Sequence, residues 1–186
     1  METHELEALL DGTRETDALE FKGAMDWNCN QLVKDILAMA NVADGGTIIV
    51  GIEDQTLARQ GLTDEQIASF NLEIMLDQVR PFADPHVTFT CEVVSDGEGR
   101  RFAVINVHPF TETPVICARD GQDVFAGTIY FRSRDGRPRS ARVDNSTDMR
   151  EIVLRAAARS VNSMRRVGFA PVAAPPYDYD AELGEF

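Results

Sequence analysis

The sequence predicts a single α+β domain in which helices pack on a mixed, mostly antiparallel sheet. Four segments carry apolar residues at helical spacing, several others alternate or are β-branched as strands are, and Asp-Gly pairs separate strand-like segments as hairpin turns do. A chain of 186 residues suits one well-buried core. We therefore assign residues 1–167 to one domain, and residues 168–186, which are polar and interrupted by prolines, to a flexible acidic tail.

The first elements are a helix, a strand and a longer helix. Residues 3–11 predict a short amphipathic helix, and residues 19–22 predict a short strand. The longer helix opens with Asn28 and Gln31 in a capping-box arrangement and continues with apolar residues at helical spacing. Residues 44–46, Asp-Gly-Gly, end it because glycine adopts the left-handed conformation that a C-cap requires.

The middle of the chain continues with a strand and a third helix. Residues 47–52 are almost purely apolar and β-branched, which predicts a central strand that is buried on both faces. The third helix begins at Thr63, with Gln66 as its capping partner, and continues until Pro81 stops it.

Strands dominate the rest of the chain up to a final helix. The predicted strands form two hairpins: residues 86–94 with 101–107, and residues 115–118 with 124–132. The last helix begins near Asn145 and runs to about Arg166. Asp148 and Glu151 lie in its first turn, where acidic side chains suit the helix dipole.

The composition argues against several classes of protein. No apolar run approaches the ~20 residues that cross a bilayer, so we expect no membrane segment. The acidic N-terminus has neither the basic start nor the apolar stretch of a secretory signal, which predicts a cytoplasmic protein. Three cysteines without CxxC spacing and three histidines without ligand spacing make disulfides, zinc and a histidine metal site unexpected.

The charge is distributed unevenly along the chain. The net charge of −13 argues against a simple nucleic-acid binder, because affinity for phosphate comes largely from Lys and Arg. However, residues 1–131 carry a net −15, residues 132–166 a net +6, and residues 167–186 a net −4. A locally positive segment can bind an anion even when the whole molecule is negative, so residues 132–166 are the candidate phosphate-binding region.

The basic region and the strand before it offer candidate contacts to nucleic acid. Tyr130, Arg132 and Arg134 alternate onto one strand face, so a base could stack on the ring while the guanidinium groups meet phosphates. A loop with proline and glycine follows, and it contains Arg137, Arg139 and Arg142. Such a loop can wrap a nucleic-acid backbone. The alternative is an ordinary edge strand whose arginines pair with the abundant acidic residues.

Six local patterns occur in an order that resembles a known family. They are Glu15 with Glu20 five positions later, Leu19-Glu20-Phe21-Lys22, Ala40-Asn41 before Gly45-Gly46, Gly51-Ile52-Glu53-Asp54, Pro114-Val115, and Tyr130-Phe131-Arg132-Ser133. Their order and spacing resemble the Alba-like (AlbA) domain that occurs at the N-terminus of Schlafen proteins and as free-standing bacterial proteins. The resemblance covers roughly residues 12–142, and it implies an α+β fold and nucleic-acid binding.

The resemblance also implies a candidate catalytic site. In the Schlafen nucleases three acids perform metal-dependent RNA cleavage, and their pattern falls here on Glu15, Glu20 and Asp54. Glu53 is an alternative to Asp54. The expected cofactor is Mg²⁺ or Mn²⁺, which prefers carboxylate oxygens, neutralises the phosphate and lowers the pKa of an attacking water. Because strand side chains alternate, Glu20 and Lys22 emerge on one face, where the ammonium of Lys22 could hold the phosphate or the water.

Structural interpretations of the same residues remain open. Each of the 31 acidic residues is by default solvated, and Lys22 could form a surface ion pair that contributes only ~0–1 kcal/mol. Gly45-Gly46 lies after a helix and before a strand, which is the reverse order of a phosphate loop. Nucleotide binding is therefore a minor alternative.

The leading hypothesis is a Schlafen-like domain that interacts with nucleic acid. Metal-dependent endonuclease activity on RNA or single-stranded nucleic acid is a further hypothesis. The alternatives are a non-catalytic regulator that binds DNA or RNA and a protein-interaction or nucleotide-binding module. A homodimer is the expected form if the chain assembles with itself.

Overall fold

The computed structural model describes residues 3–12, 16–133 and 138–169. The helices are α1 (Thr3–Gly12), α2 (Cys29–Ala40), α3 (Asp64–Ser69), α4 (Leu72–Val79) and α5 (Ser146–Arg166). The strands are β1 (Leu19–Lys22), β2 (Gly46–Val50), β3 (Ala83–Asp84), β4 (Phe89–Ser95), β5 (Arg101–Val107), β6 (Ile116–Cys117), β7 (Tyr130–Ser133) and β8 (Arg139–Arg142). A short 3-10 helix, Arg80–Phe82, follows α4. Within the described residues, no helix is both long and apolar enough to cross a membrane.

The main sheet has four strands in the order β1-β2-β5-β4. β1 and β2 run parallel, whereas β2 with β5 and β4 with β5 run antiparallel. Two small antiparallel sheets pair β3 with β6 and β7 with β8. The predicted fold class, a single α+β domain with a mixed and mostly antiparallel sheet, is confirmed.

Strand β2 lies in the middle of the hydrophobic core. Ile48 and Val50 belong to the larger core cluster, which α2 and α4 cover. Ile49 belongs to a second cluster on the other face of the sheet, together with Phe21 of β1 and Leu6 of α1. The prediction of a central strand that is buried on both faces is therefore confirmed, and each fully buried side chain of this kind contributes about 1.5–3 kcal/mol.

Helix α2 ends earlier than its apolar pattern predicts, and Asn41 explains the end. Its buried amide donates to the carbonyl oxygens of Leu37, Val115 and Tyr130 at 3.3, 3.0 and 2.8 Å. It also accepts the N–H of Val115 at 2.8 Å. This side chain therefore ties the end of α2 to Val115, just before β6, and to Tyr130, the first residue of β7.

The third predicted helix is divided into two. Thr63 and Gln66 form the predicted capping box at the start of α3. The helix stops at Phe70, and the side chain of Asn71 then caps the start of α4 by accepting the N–H groups of Glu73 and Ile74. An asparagine favours an N-cap because its side chain satisfies N–H groups that lack helical partners. A helix boundary therefore falls inside a segment whose apolar spacing is continuous.

The last strands pair differently from the prediction. The hairpin expected between residues 115–118 and 124–132 is reduced to two backbone bonds, in which Cys117 joins Gly127 and Thr128 at 2.8 Å each. β6 pairs instead with β3, and β7 pairs with β8, a segment that was predicted to be a loop. Proline and glycine near residues 139–142 suggested a loop, but their presence does not exclude a strand in the residues that follow them.

Candidate functional site

A cleft of about 460 Å³ lies where β1, α2, the segment after β2 and β8 meet. Its lining consists of Glu20, Lys22, Gln31, Lys34, Asp35, Asp54, Pro138, Arg139 and Ser140. Its volume falls within the range that is common for ligand-binding sites. Three acids and three cations line this cleft, so its chemistry is that of ion pairing rather than apolar burial.

Sheet pairing explains why Glu20 and Asp54 reach the same cleft. β1 and β2 are parallel neighbours, and Lys22 at the end of β1 is in register with Val50 at the end of β2. Beyond Val50 the backbone remains tied to β1, because the N–H of Gly51 donates to the carbonyl oxygen of Lys22 at 2.8 Å. Asp54 therefore follows β2 at the edge of the sheet where β1 also ends.

Four charged side chains form a continuous ion network in the floor of the cleft. A guanidinium nitrogen of Arg132 donates to one carboxylate oxygen of Glu20. The Nζ of Lys22 contacts the other oxygen of Glu20 at 2.7 Å and Oδ2 of Asp35 at 2.9 Å. Two acids and two bases therefore alternate, and the network is neutral as a whole. Glu20, Asp35 and Arg132 are buried, and Lys22 is half-buried.

Arg132 is the most deeply buried member of this network, with 0% of its surface exposed. Its Nη2 donates to the carbonyl oxygens of Thr16 and Leu19 at 3.1 and 3.2 Å. Its Nη1 lies 3.4 Å from the hydroxyl of Ser140 in addition to the contact with Glu20. Within the described residues its Nε has no hydrogen-bond partner. Arg132 therefore connects β7 to β1 and to the segment that precedes it.

The network fixes the charge of Lys22. Burial alone would lower the pKa of its ammonium group, but the carboxylates of Asp35 and Glu20 outweigh burial and raise the pKa above its ordinary value. Lys22 is therefore protonated throughout the physiological pH range. It acts as a fixed positive charge in the cleft and not as a proton acceptor.

The remaining charges of the cleft lie at its rim. Lys34 and Asp54 are partly exposed, and Arg139 is exposed. Because the floor is neutral, these three side chains leave the cleft with one excess positive charge. An anion at the rim would meet Lys34 and Arg139, with Lys22 behind them.

The structure brings some predicted site residues together and separates others. Glu20, Lys22, Asp54 and Arg139 all line the cleft. Arg142, also on β8, does not line the cleft. Its guanidinium stacks over the ring of Phe125, 4.1 Å from the ring centroid. Three other predicted residues lie outside the described residues: Glu15, Arg134 and Arg137.

The predicted stacking platform on β7 is wrong for Tyr130 and Arg132. Tyr130 is 2% exposed, and its hydroxyl accepts the N–H of Phe125 at 2.9 Å. Arg132 is paired with Glu20 beneath the surface. Both faces of β7 are buried, since Phe131 between them is also 2% exposed. Neither the Tyr130 ring nor the Arg132 guanidinium is therefore accessible to a base or a phosphate.

Asp54, and not Glu53, is the acid that lines the cleft. Glu53 accepts the side-chain amide of Gln60 at 2.9 Å. Of the two candidate acids after β2, Asp54 is therefore the one that lies in the cleft with Glu20.

The described acids do not form a metal-binding group. Across residues 3–12, 16–133 and 138–169, no three or more His, Cys, Asp or Glu side chains converge as ligands of an ion would. Both carboxylate oxygens of Glu20 already accept contacts from cations. Glu15, the third acid of the predicted trio, lies outside the described residues. A Mg²⁺ or Mn²⁺ site is thus still a prediction.

Sequence reasoning missed the contribution of α2 to the cleft. Gln31, Lys34 and Asp35 all belong to this helix. Asp35 carried a usable signal, because it lies at helical spacing between Leu32 and Met39 on the apolar side of the helix. A charged residue at such a position is almost never buried unless it is paired. Lys22 is the cation that pairs with it.

Two solved structures are among those that are similar to this chain. One is a protein of Corynebacterium diphtheriae, with 22% identity and a TM-score of 0.48 over 74% of this chain and 26% of that one. The chain thus spans about a quarter of the length of that protein. The other is the N-terminal domain of a Nitrosomonas europaea protein named for its relation to the ATP-dependent DNA helicase RecG. It has 19% identity and a TM-score of 0.50 over 68% of this chain and 88% of that one.

A family model gives the broader assignment. No curated protein matches the chain. The model described as Schlafen, AlbA_2 matches residues 15–139, about two thirds of the chain. This range contains β1 with Glu20 and Lys22, the segment with Asp54, and Arg139 at its end. The chain belongs to the Schlafen AlbA_2 family.

Proposed function

We propose that this domain binds the backbone of RNA or single-stranded nucleic acid at the cleft, with Lys34 and Arg139 contacting phosphate. Membership of the Schlafen AlbA_2 family supports a nucleic-acid-associated domain. The observation that carries the proposal is the charge arrangement: a neutral buried network lies beneath a rim with two cations and one acid. The two rim cations are not members of the buried network, so they can contact an anionic ligand.

The net charge of −13 limits the strength of this binding. The acidic bulk of the molecule slows the approach of a polyanion, whereas the local excess of positive charge at the rim holds a phosphate once it has arrived. Few phosphate contacts also mean that affinity depends only weakly on salt. For a single strand, the slope of log K against log salt concentration changes by about 0.7 for each phosphate contacted. We therefore expect weak binding that involves one or two phosphates in the cleft.

Fluorescence anisotropy with a labelled single-stranded RNA tests the proposal. Lys34→Ala and Arg139→Ala should each weaken binding and reduce the salt slope by about 0.7. Arg80→Ala, which removes an exposed arginine outside the cleft, is the matched control and should bind as the wild type does. Equal affinities for the wild type and both cleft variants would reject the proposal.

Metal-dependent cleavage is the second candidate function. It is supported by the family and by the position of Glu20 and Asp54 in one cleft. A divalent ion supplies a more acidic water and neutralises phosphate charge. The chain's own contribution would be Lys22, a fixed cation beside Glu20, and the rim cations that hold the backbone.

Asp54→Asn is the variant that separates cleavage from binding, because Asp54 lies at the rim and not in the buried network. RNA should be incubated with Mn²⁺, with and without a chelator. Cleavage that requires Mn²⁺ and is lost in Asp54→Asn, while RNA binding is retained, supports an endonuclease. Absence of Mn²⁺-dependent cleavage by wild-type protein that binds RNA leaves the non-catalytic regulator as the function.

A further inference from the structure

Helix α5 is attached to the domain along one face only. Of the 21 residues of this helix, Asp148 and Ile152 are buried. Arg155 donates to the carbonyl oxygen of Asn41 at 3.0 Å, and Arg159 donates to that of Ala43. These cations satisfy carbonyl groups just beyond the C-terminus of α2, where positive charge is favourable. The docked face of α5 is therefore largely polar.

The opposite face of α5 is apolar and exposed. We call it the α5 apolar face, and it consists of Val153, Leu154, Ala157, Val161, Met164 and Val167. Leu154 is 58% exposed, Met164 54% and Val167 71%. At about 100° per residue, this face points roughly 160° away from Ile152, Arg155 and Arg159. Single exposed apolar residues are ordinary, but a continuous stripe over four turns indicates an interaction surface.

The α5 apolar face has the spacing of a two-helix seam. Leu154, Ala157, Val161 and Met164 are separated by three, four and three residues, which is the a/d pattern of a heptad repeat. Their side chains can interlock with an equivalent helix. When the helices run antiparallel and centre near residue 159, Ala157 lies opposite Val161 and Leu154 lies opposite Met164, so every seam residue meets an apolar partner.

We propose that the α5 apolar face binds the same face of a second copy of this chain, with the two helices antiparallel. The charges beside the seam favour this occupant. Glu151 lies on the flank of the seam near its N-terminal end, and Arg165 lies on the same flank near its C-terminal end. Antiparallel pairing centred near residue 159 brings Glu151 of each copy towards Arg165 of the other. Glu151 also holds Arg155 of its own chain, and a carboxylate can attract both cations.

The size of the seam determines how tightly the two copies associate. The stretch from Val153 to Val167 is about 20 Å long, and a helix pair of this length falls at the low end of specific interfaces, below ~1,200 Å². We therefore expect a dimer that dissociates in the micromolar range. The inference concerns a surface away from the cleft and does not depend on nucleic-acid binding.

Analytical ultracentrifugation of the full chain, from about 1 to 300 μM, tests the association in the concentration range expected for a small interface. The wild type should shift from monomer to dimer. Val161→Glu should be monomeric, because it places a charge in the seam. Asn162→Glu adds the same charge one residue away and should dimerise as the wild type does. Circular dichroism should show equal folding for all three, since these positions are exposed.

A crosslinking pair tests the orientation of the two helices. In the antiparallel arrangement Ala158 lies near the two-fold axis, whereas the two copies of Val153 are about 18 Å apart along the helix. A short bismaleimide should therefore link Ala158→Cys to itself much more efficiently than Val153→Cys. A parallel pair would place each residue at the same level as its counterpart, so it would show no such preference.

The outcomes are decisive in each case. A monomer at every concentration overturns the proposal, as does a Val161→Glu variant that still dimerises. Equal crosslinking of Ala158→Cys and Val153→Cys overturns the antiparallel arrangement. A concentration-dependent dimer that is lost only in Val161→Glu, with crosslinking confined to Ala158→Cys, supports it.

Discussion

Arg132 and Glu20, which are separated by 112 residues of chain, form an ion pair inside the protein. The Arg132 side chain is 1% exposed and that of Glu20 is 10% exposed. The acid that the family resemblance assigns to catalysis is therefore also the counter-ion of a buried guanidinium. Loss of activity in a Glu20 variant would not by itself identify a catalytic role.

Glu20→Ala should destabilise the protein strongly. Removing one partner of a buried ion pair leaves an uncompensated charge, which costs about 3–5 kcal/mol. Urea denaturation measures the free energy of unfolding. Lys34→Ala, at the rim of the same cleft, is the control and should change this free energy by less than about 1 kcal/mol. If both variants unfold at the same urea concentration, Arg132 does not depend on Glu20.

The double variant Glu20→Leu with Arg132→Met tests whether removing both members of the ion pair destabilises the protein less than removing one. Replacing both members of a buried pair with apolar residues is often neutral or stabilising. The double variant should therefore be more stable than Glu20→Ala. A double variant that is as unstable as the sum of its single changes would argue that the two side chains act independently.

Asn41→Ala should also lower the free energy of unfolding, by about 3 kcal/mol or more. The change leaves the buried N–H and carbonyl of Val115 and the carbonyl of Tyr130 without this partner, and each such group costs roughly 1–3 kcal/mol. Asn30→Ala, at an exposed position of α2, is the matched control. Thermal unfolding of the two variants should differ by several degrees.

The paired glycines should respond differently to alanine. Gly45 has φ of 80°, and an added Cβ would collide with the backbone carbonyl of Val107, which cannot move. At Gly46 the added Cβ would meet the Met39 side chain. Met39→Ala should therefore partly rescue Gly46→Ala but not Gly45→Ala, as measured by urea denaturation. Equal rescue of both would contradict this account.

The cysteine thiols should react slowly in the folded protein. Burial raises the pKa of Cys91 to about 11, with a smaller contribution from the charge of Glu92, and burial also raises the pKa of Cys29 and Cys117. At pH 8 the thiolate fraction of Cys91 should be about 100-fold lower than that of an unperturbed thiol. Alkylation followed by mass spectrometry should show fast modification in denaturant and slow modification without it.

The raised pKa of Cys91 also makes the stability of the protein depend on pH. The thiol of Cys91 has a higher pKa when folded, so its contribution to stability is fully present below the ordinary thiol pKa and is lost as the pH rises towards 11. Cys91→Ser should therefore lose less stability than the wild type between pH 8 and pH 10. A parallel decline in the two proteins would contradict the raised pKa.

Local patterns predicted the elements that local chemistry determines. The capping box of Thr63 and Gln66, the apolar strand β2 and the Asn145 cap of α5 are properties of neighbouring residues, and each is present. No local pattern predicted the parallel pairing of β1 with β2, two strands that helix α2 separates in the chain. The position of Asp54 beside β1 is a consequence of that pairing.

Local patterns did not predict contacts between segments that are far apart in the sequence. Nothing near Arg132 in the sequence indicates that it is buried, because its compensating charge is Glu20, 112 residues earlier in the chain. Alternation correctly placed Tyr130 and Arg132 on one strand face, but alternation does not reveal that another element covers that face. The partnership of Lys22 with Asp35 is likewise decided by how α2 crosses β1.

During synthesis on a ribosome, the contact between Arg132 and Glu20 can form only after most of the domain has been made. Glu20 emerges 112 residues before Arg132, whose guanidinium completes the charge balance of the buried network. A nascent chain that stops before β7 carries the core strands but has an unneutralised acid in its interior. We expect such a chain to be cut readily by protease and to become resistant once Arg132 has left the exit tunnel.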